Sequence, residues 1–291
     1  MERETLTGLL VLILGGLSLQ LCAGRWVTGH DHSDAWQAER QAWWRLWQPL
    51  LPASWVGMCL LGWALAEPDP VQDRMNPGVV VLLALPFLLL VCRALIRAWL
   101  SLLKLHPRPL IYTHGLLRPR LCCDAALQAR WTPAEWLAVY LHEYAHRQHR
   151  DPLRVWLAQI AVDLLWPWPA ALNRFQVWLE HLERLRDIEA VSLGADRTDL
   201  AAAVLKTVRF QMEKGGTIRG WVGNGAVASL TGSEIFLRQR IDHLLHAERR
   251  QRPKVRWVVT LITLTGLWMS GLFVGCRLAA PMVSYLLSWT L

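Results

Sequence analysis

The stretch TPAEWLAVYLHEYAHRQHRD at residues 132–151 decides how the rest of this chain is interpreted. It predicts a helix, because Thr132 is a good N-cap, Pro133 suits the first helical position and Glu135 completes a capping box. The Asp151-Pro152 pair marks the expected end or kink of that helix. The middle of the helix is largely apolar, which indicates burial, and buried histidines and carboxylates need partners. The histidines and the glutamate in this helix are therefore candidates for a functional site.

The HEYAH segment within this helix has the spacing of a zinc-hydrolase motif. His142 and His146 are four residues apart and share a face, so they can offer two imidazoles to one zinc ion. Glu143 lies about 100° around the helix from His142, beside the metal rather than on it. There it can accept a proton from the water that attacks a peptide carbonyl. The alternative is a helix whose histidines and glutamate face solvent or bond to one another.

A catalytic zinc needs a third protein ligand and leaves its fourth position for water. The candidates all lie on a second predicted helix, which follows the WPWP turn at 166–169. They are Glu180, His181, Glu183, Asp187 and Glu189. His149 is disfavoured, because three positions that drift along one helix cannot close a tetrahedron. Rotations of about 200° and about 240° separate Glu189 from Asp187 and Glu183, so these three cannot all face the metal. The residues alone leave this choice open.

Composition favours a membrane protein. The 291 residues are 53% hydrophobic, yet 31 Lys+Arg against 23 Asp+Glu give a net charge of +8. Uncharged windows at 6–23, 50–66, 77–92 and 257–276 are the candidate spans, of which the first is roughly long enough to cross a bilayer and the last is the clearest. The first could instead be a cleaved signal peptide, although MERETL is not a basic start. Because no arginine-rich helix or base-stacking motif occurs, we expect no nucleic-acid partner.

The charge of the connecting segments predicts an orientation and three regions. Basic loops are expected in the cytoplasm, which places the N-terminus outside and the HEYAH segment inside. We therefore predict three spans in 1–100, a cytoplasmic-facing zinc metallopeptidase domain in 101–256 and a last span in 257–291. The apolar part of 152–180 predicts a hairpin that dips into the membrane or lies along it. The alternative there is an ordinary buried hairpin of a globular domain.

Two short strands are predicted before the motif helix, at 110–112 and 116–118, around a turn at His114-Gly115. The hairpin offers an edge strand near Tyr112 and Leu117 to which an extended substrate can add. The adjacent Cys122 and Cys123 lack metal-site spacing, and the six cysteines do not indicate an extracellular disulfide framework.

From residue 115 to about 245 the chain resembles the BlaR/MecR-type membrane metallopeptidases. The resemblance is carried in order by GLLRPRLCCDAAL, the motif helix, LLWPWPAALNRF, RDIEA and LRQRIDHLL. It implies a gluzincin site in which His142 and His146 are ligands, Glu143 is the general base and Glu189 of RDIEA is the third ligand. Asp151 matches an aspartate that follows the second histidine.

The chain departs from that family in three places. Ser192-Leu193 stand where the family often has Cys-Asp, and His149 stands where an arginine is common. The penicillin-binding sensor domain of the beta-lactam sensor-transducers is not expected here either.

Together these patterns predict a mainly α, polytopic membrane protein with about four transmembrane helices around a cytoplasmic zincin-like core and a small β-hairpin. The predicted function is a zinc endopeptidase of the bacterial inner membrane, cutting a protein at or near its cytoplasmic face in signalling or regulation. Its expected cofactor is Zn²⁺ and its expected partners are the lipid bilayer and a protein or peptide substrate, with no oligomeric state assigned. The alternatives are an inactive zinc-binding membrane scaffold or signal transmitter, and a transporter, for which Asp163 is the only motive.

Overall fold

The structure, a computed structural model, describes residues 14, 15, 18, 35–66, 77–103, 111–166, 168–213, 228–229, 234–246 and 257–277. The chain forms two compact units. The first contains Met1–His30, Trp47–Leu89 and Pro253–Leu291, and the second contains Asp31–Leu46 and Leu90–Arg252. The second unit thus includes residues 31–46, which precede the predicted metallopeptidase domain. Nearly all of the predicted first span, 6–23, lies outside the described residues.

The helices and strands follow one another in chain order. The first unit contains the helices at 50–66 and 257–277, and the helices at 35–47 and 77–103 each have residues in both units. The described elements are α1 (Ala35–Trp47), α2 (Leu50–Ala66), α3 (Pro77–Leu103), β1 (Ile111–His114), β2 (Arg120–Cys123), α4 (Ala125–Gln128), α5 (Pro133–Gln148), α6 (Asp151–Leu164), α7 (Pro169–Ser192), α8 (Arg197–Glu213), β3 (Ala228–Ser229), α9 (Glu234–His246) and α10 (Trp257–Arg277).

In the first unit, α2 and α10 pack so closely that their backbones touch. A Cβ added to Gly275 would lie 2.1 Å from the carbonyl oxygen of Cys59, and one on Gly62 would lie 2.4 Å from that of Leu272. Cys276 Sγ donates to the Gly62 carbonyl at 3.2 Å. Glycine is needed at these positions because any side chain would push the two helices apart.

No helix within the described parts of the chain is both long and apolar enough to cross a membrane. The prediction of a polytopic integral membrane protein, with its site at the cytoplasmic face of a bacterial inner membrane, is therefore wrong. Helix α2 has 17 residues, and the uncharged part of α3 ends before Arg93.

In the second unit, β1 is the middle strand of a small antiparallel sheet with the order β2-β1-β3. Thr113 pairs with Leu121 on one side and with Ala228 on the other. The predicted hairpin is present, but its second strand begins at Arg120 instead of residue 116, because Pro119 has no N–H to donate. Paired on both sides, β1 is not an edge strand among the described strands.

Helix α5 begins with the predicted capping box. Thr132 Oγ1 accepts a hydrogen bond from the Glu135 N–H at 3.2 Å, and Glu135 Oε2 accepts one from the Thr132 N–H at 2.7 Å. The helix ends at Gln148, and Arg150 then takes a left-handed backbone with φ 52°. That residue turns the chain so that Asp151 begins α6.

The α6–α7 hairpin buries many of its apolar residues within the second unit. Phe175 and Trp178 of α7 are 1% and 0% exposed. Trp178 Nε1 donates to Glu39 of α1 at 2.9 Å. Asp163, which motivated the transporter alternative, pairs with Arg97 at 2.8 Å and Arg93 at 3.8 Å. These contacts are those of an ordinary buried hairpin.

A cluster of small and apolar residues brings four helices together around α5. It consists of Ala138 of α5, Ala190 of α7, Leu200 and Ala201 of α8 and Leu244 of α9, with Ala195 beside them. The alanines allow close approach of α5 and α7. The face of α5 that carries the HEYAH side chains is thereby held against α7 and α9.

Candidate metal centre

The two motif histidines lie side by side in the interior. His142 and His146 are 0% and 1% exposed, and their Nε2 atoms are 3.1 Å apart. Helix α7 brings the carboxylate of Glu183 against both rings. Glu183 Oε2 lies 3.4 Å from Nε2 of His142, and Glu183 Oε1 lies 3.4 Å from Nε2 of His146.

These separations fit a tetrahedral metal ion. Zinc bonds of about 2.0–2.1 Å at tetrahedral angles place neighbouring ligand atoms about 3.3–3.4 Å apart. One ligand atom from each of His142, His146 and Glu183 can be chosen so that all three lie within 4.8 Å of one another. Two imidazoles and one carboxylate are a donor set that zinc accepts, and they leave a fourth position for water. The three residues therefore fit the metal that the sequence predicts.

Each histidine ring has a carboxylate behind it. His146 Nδ1 is hydrogen-bonded to Asp151 Oδ2 at 2.9 Å. His142 Nδ1 lies 2.9 Å from Asp187 Oδ1, the distance of an ion pair. A carboxylate at Nδ1 keeps the proton there and leaves Nε2 to face the metal.

Each of these carboxylates is in turn held by a buried arginine. Arg240 of α9 binds both oxygens of Asp187 at 2.6 Å, and its Nη1 lies 3.0 Å from Glu183 Oε2. Arg186 of α7 binds Asp151 through Nε at 2.5 Å and Nη2 at 2.9 Å. Both guanidinium groups are 1% exposed. The arginines fix the carboxylates, and the carboxylates fix the imidazoles.

The centre carries more negative than positive charge. Its buried carboxylates outnumber its two buried guanidinium groups and are Glu143, Asp151, Glu183, Asp187 and Glu189. Burial alone would lower the pKa of His146, but Glu183 and Asp151 raise it to about 10. Burial would raise the pKa of Glu183, but His146 and Arg240 hold it well below its usual range. The surplus negative charge that raises the pKa of His146 also favours a bound divalent cation.

Glu143 lies beside this group and not in it. Its Oε2 accepts a hydrogen bond from Thr113 Oγ1 of β1 at 2.6 Å. Its Oε1 is buried and has no hydrogen-bond partner among the described residues. Burial raises the pKa of Glu143, against the opposing effect of His146 and His142. A buried carboxylate oxygen without a donor is placed to accept a proton from water.

Glu189, the third ligand implied by the resemblance, lies elsewhere. Its Oε2 accepts from Arg186 Nη1 at 2.7 Å, and its Oε1 lies 2.9 Å from His149 Nε2. In the structure, the carboxylate beside both motif histidines is therefore that of Glu183 and not that of Glu189. The reason is the helix rotation, because six residues turn the chain by about 240° and only one of the two glutamates can face α5.

A sequence signal for Glu183 exists. Glu183 and Asp187 are four residues apart, as His142 and His146 are, so they also share one helix face. One can then bind the metal while the other faces the second nitrogen of a histidine. The remaining candidates Glu180, His181 and His149 are not in the group of described residues that could hold a metal. Thr113, Arg186 and Arg240 carried no local signal.

No family model, curated protein or solved structure matches this chain. The resemblance to BlaR/MecR-type metallopeptidases therefore stays a prediction. The function is therefore proposed below from the geometry of the centre and from the sequence pattern.

Proposed function

We propose that this protein is a zinc-dependent endopeptidase with His142, His146 and Glu183 as ligands and Glu143 as the general base. The observation that carries the proposal is the tetrahedral spacing of the three ligand residues around a position that Glu143 adjoins. The bound ion would supply Lewis acidity, lowering the pKa of a water molecule and polarising the scissile carbonyl. The HExxH pattern and the resemblance both support a protein or peptide substrate.

The other steps, proton transfer and positioning of the ligands, are assigned to side chains of the centre. Glu143 Oε1 accepts a proton from the attacking water and later gives it to the leaving amine nitrogen, so the base returns to its starting state. Asp151 and Asp187 keep the imidazoles in the orientation and tautomer that a ligand needs. Arg186 and Arg240 hold those carboxylates in place and offset part of their charge.

The second candidate function is zinc binding without catalysis. Structural zinc sites are closed by four protein ligands, whereas catalytic sites keep one position open. Among the described residues the centre offers three ligands, together with a buried carboxylate oxygen of Glu143 that has no donor. An unsatisfied buried acceptor costs about 1–3 kcal/mol, which a purely structural site has no reason to retain. These observations favour the endopeptidase.

The experiment compares the purified wild-type chain with Glu143→Gln and His146→Ala. Zinc is measured by elemental analysis, and cleavage by mass spectrometry of a mixed peptide library. We expect Glu143→Gln to hold zinc and lose cleavage, and His146→Ala to lose both. Glu213→Gln is the control, because Glu213 is a half-exposed carboxylate paired with Arg130. Zinc in the wild-type chain with no Glu143-dependent cleavage would instead support the non-catalytic function.

A further inference from the structure

Thr113 joins the sheet to the candidate base. It lies in the middle strand, it is 0% exposed, and its hydroxyl reaches across to the motif helix. Thr113 Oγ1 lies 2.6 Å from Glu143 Oε2 and 3.5 Å from the backbone carbonyl oxygen of Glu143. The hydroxyl has one hydrogen to donate, and the contact to Oε2 is by far the shorter of the two. The proton of Thr113 is therefore directed at the carboxylate.

Strand formation does not require this hydroxyl. A buried position in a β-strand suits valine as well as threonine, because both are β-branched. A hydroxyl taken out of water is unfavourable unless it finds a partner. The partner here is Glu143, thirty residues further along the chain. The contact between Thr113 and Glu143 thus explains why a polar residue stands at this place.

The hydrogen bond also orients the carboxylate plane. The last torsion of a glutamate is broad, so rotamer preference alone does not fix where its two oxygens point. Anchoring Oε2 on Thr113 fixes the direction of Oε1, the buried oxygen without a donor among the described residues. We propose that Thr113 is the positioning residue of the reaction, holding Glu143 so that Oε1 faces the attacking water. This inference rests on the proposed function.

The proton count of the reaction is unchanged by this role. Water gives its proton to Glu143 Oε1, and that proton passes to the leaving amine. Thr113 keeps its own proton and its hydrogen bond to Oε2 throughout. Because the Thr113 hydroxyl is hydrogen-bonded to Glu143 and not to a ligand among the described residues, its loss should lower kcat while KM and zinc content stay near their wild-type values.

The test uses Thr113→Val, which keeps the shape and removes the hydroxyl, and Thr113→Ser, which keeps the hydroxyl. We expect kcat to fall about 10–100-fold in the valine variant and to recover largely in the serine variant. Thr207→Val is the matched control, because Thr207 is also buried in the second unit but donates to the Ala203 carbonyl of its own helix at 2.7 Å. Its kcat should not change.

A second readout needs neither zinc nor activity. Thermal unfolding of the metal-free chain is compared for Thr113→Val, Glu143→Ala and the double variant. Thr113→Val should lower the Tm of the wild-type chain and change that of the Glu143→Ala chain much less, because the hydroxyl has then lost its acceptor. Additive shifts would show that the hydroxyl serves the backbone and would overturn the inference.

The outcomes separate this inference from the proposed function. A wild-type chain without Glu143-dependent cleavage means that the proposed function fails. An active wild-type chain whose Thr113→Val variant is equally active means that only the role of Thr113 fails. A folded Thr113→Ser variant as slow as the valine variant also overturns it. If the valine variant does not fold, wild-type kcat in Thr113→Ser together with low kcat in Thr113→Ala supports it.

Discussion

Helices pack closely both in the α2–α10 pair of the first unit and in the metal centre of the second unit, but the residues that allow it are opposite in kind. Between α2 and α10 the side chains are removed, and Gly62 and Gly275 let backbone meet backbone. Around His142 and His146 the side chains are large and charged, and each one is matched by another. A glycine contact can only hold two helices together. A charged contact can also exchange one of its members for an ion, which is why the second region can carry chemistry.

Mutations should also destabilise the two regions for different physical reasons. A methyl group added between α2 and α10 meets a carbonyl oxygen that cannot move without moving its helix, and overpacking typically costs about 1–3 kcal/mol. A charge removed from the centre leaves its partner buried and alone, which typically costs about 3–5 kcal/mol.

The largest expected effect concerns the choice between Glu183 and Glu189. Glu183→Ala should abolish zinc binding, because it removes a ligand, whereas Glu189→Ala should keep zinc with affinity weakened at most about 10–100-fold. Isothermal titration of zinc into the metal-free variants measures both affinities. The reverse order would show that α7 has a different rotation from the one described here.

The next largest expected effect is the loss of stability when a buried arginine is removed. Arg186→Leu leaves Asp151 and Glu189 buried without their main partner, and should lower the free energy of unfolding by about 3–5 kcal/mol. Urea unfolding measures it. The control is Arg209→Leu, since Arg209 is exposed and pairs with Glu213 on the same helix, so its change should stay within about 0.5 kcal/mol. Equal effects of the two variants would contradict the assigned role of Arg186.

In the first unit, Gly275→Ala should destabilise by about 1–3 kcal/mol, because its Cβ would lie 2.1 Å from the Cys59 carbonyl oxygen. Gly266 lies on the same helix with nothing within 4 Å of an added Cβ. Gly266→Ala should therefore stabilise by about 0.5–1 kcal/mol. Thermal unfolding of both variants tests the contact between α2 and α10, which two shifts of the same sign would contradict.

The centre should also make the metal-free chain sensitive to pH. Carboxylates raise the pKa of His146 to about 10, above the ordinary 6.5. A raised pKa in the folded state stabilises fully below pH 6.5 and is lost as pH rises through 10. Metal-free chain should thus unfold more easily at pH 10 than at pH 6.5. Zinc-loaded chain should lose less stability over the same interval, because the imidazole is then a neutral ligand. Matched losses would argue against a zinc–proton exchange at His146.

The sequence predicted what depends on neighbouring residues and missed what depends on packing. The capping box of Thr132 and Glu135 and the shared face of His142 and His146 follow from helix geometry alone, and the structure contains both. The choice of Glu183 over Glu189 depends on which face of α7 packs against α5, which local spacing does not specify. The membrane prediction was wrong, because no helix among the described residues is both long and apolar enough to cross a membrane.

The smallest expected effect lies at Arg150, whose left-handed backbone places Asp151 at the start of α6. The conformation has φ 52° and ψ 42° and is unfavourable for a residue with a Cβ by about 1–2 kcal/mol. Arg150 is exposed, so Arg150→Gly should remove this strain and raise stability by about 0.5–1 kcal/mol. Arg147→Gly, an exposed position inside α5, should instead lower it by about 1 kcal/mol. Thermal unfolding gives the two signs, and zinc affinity should be unchanged in Arg150→Gly, because glycine adopts the same turn and leaves Asp151 facing His146. A loss of both stability and zinc in Arg150→Gly would show that the arginine side chain, and not the backbone turn, places Asp151.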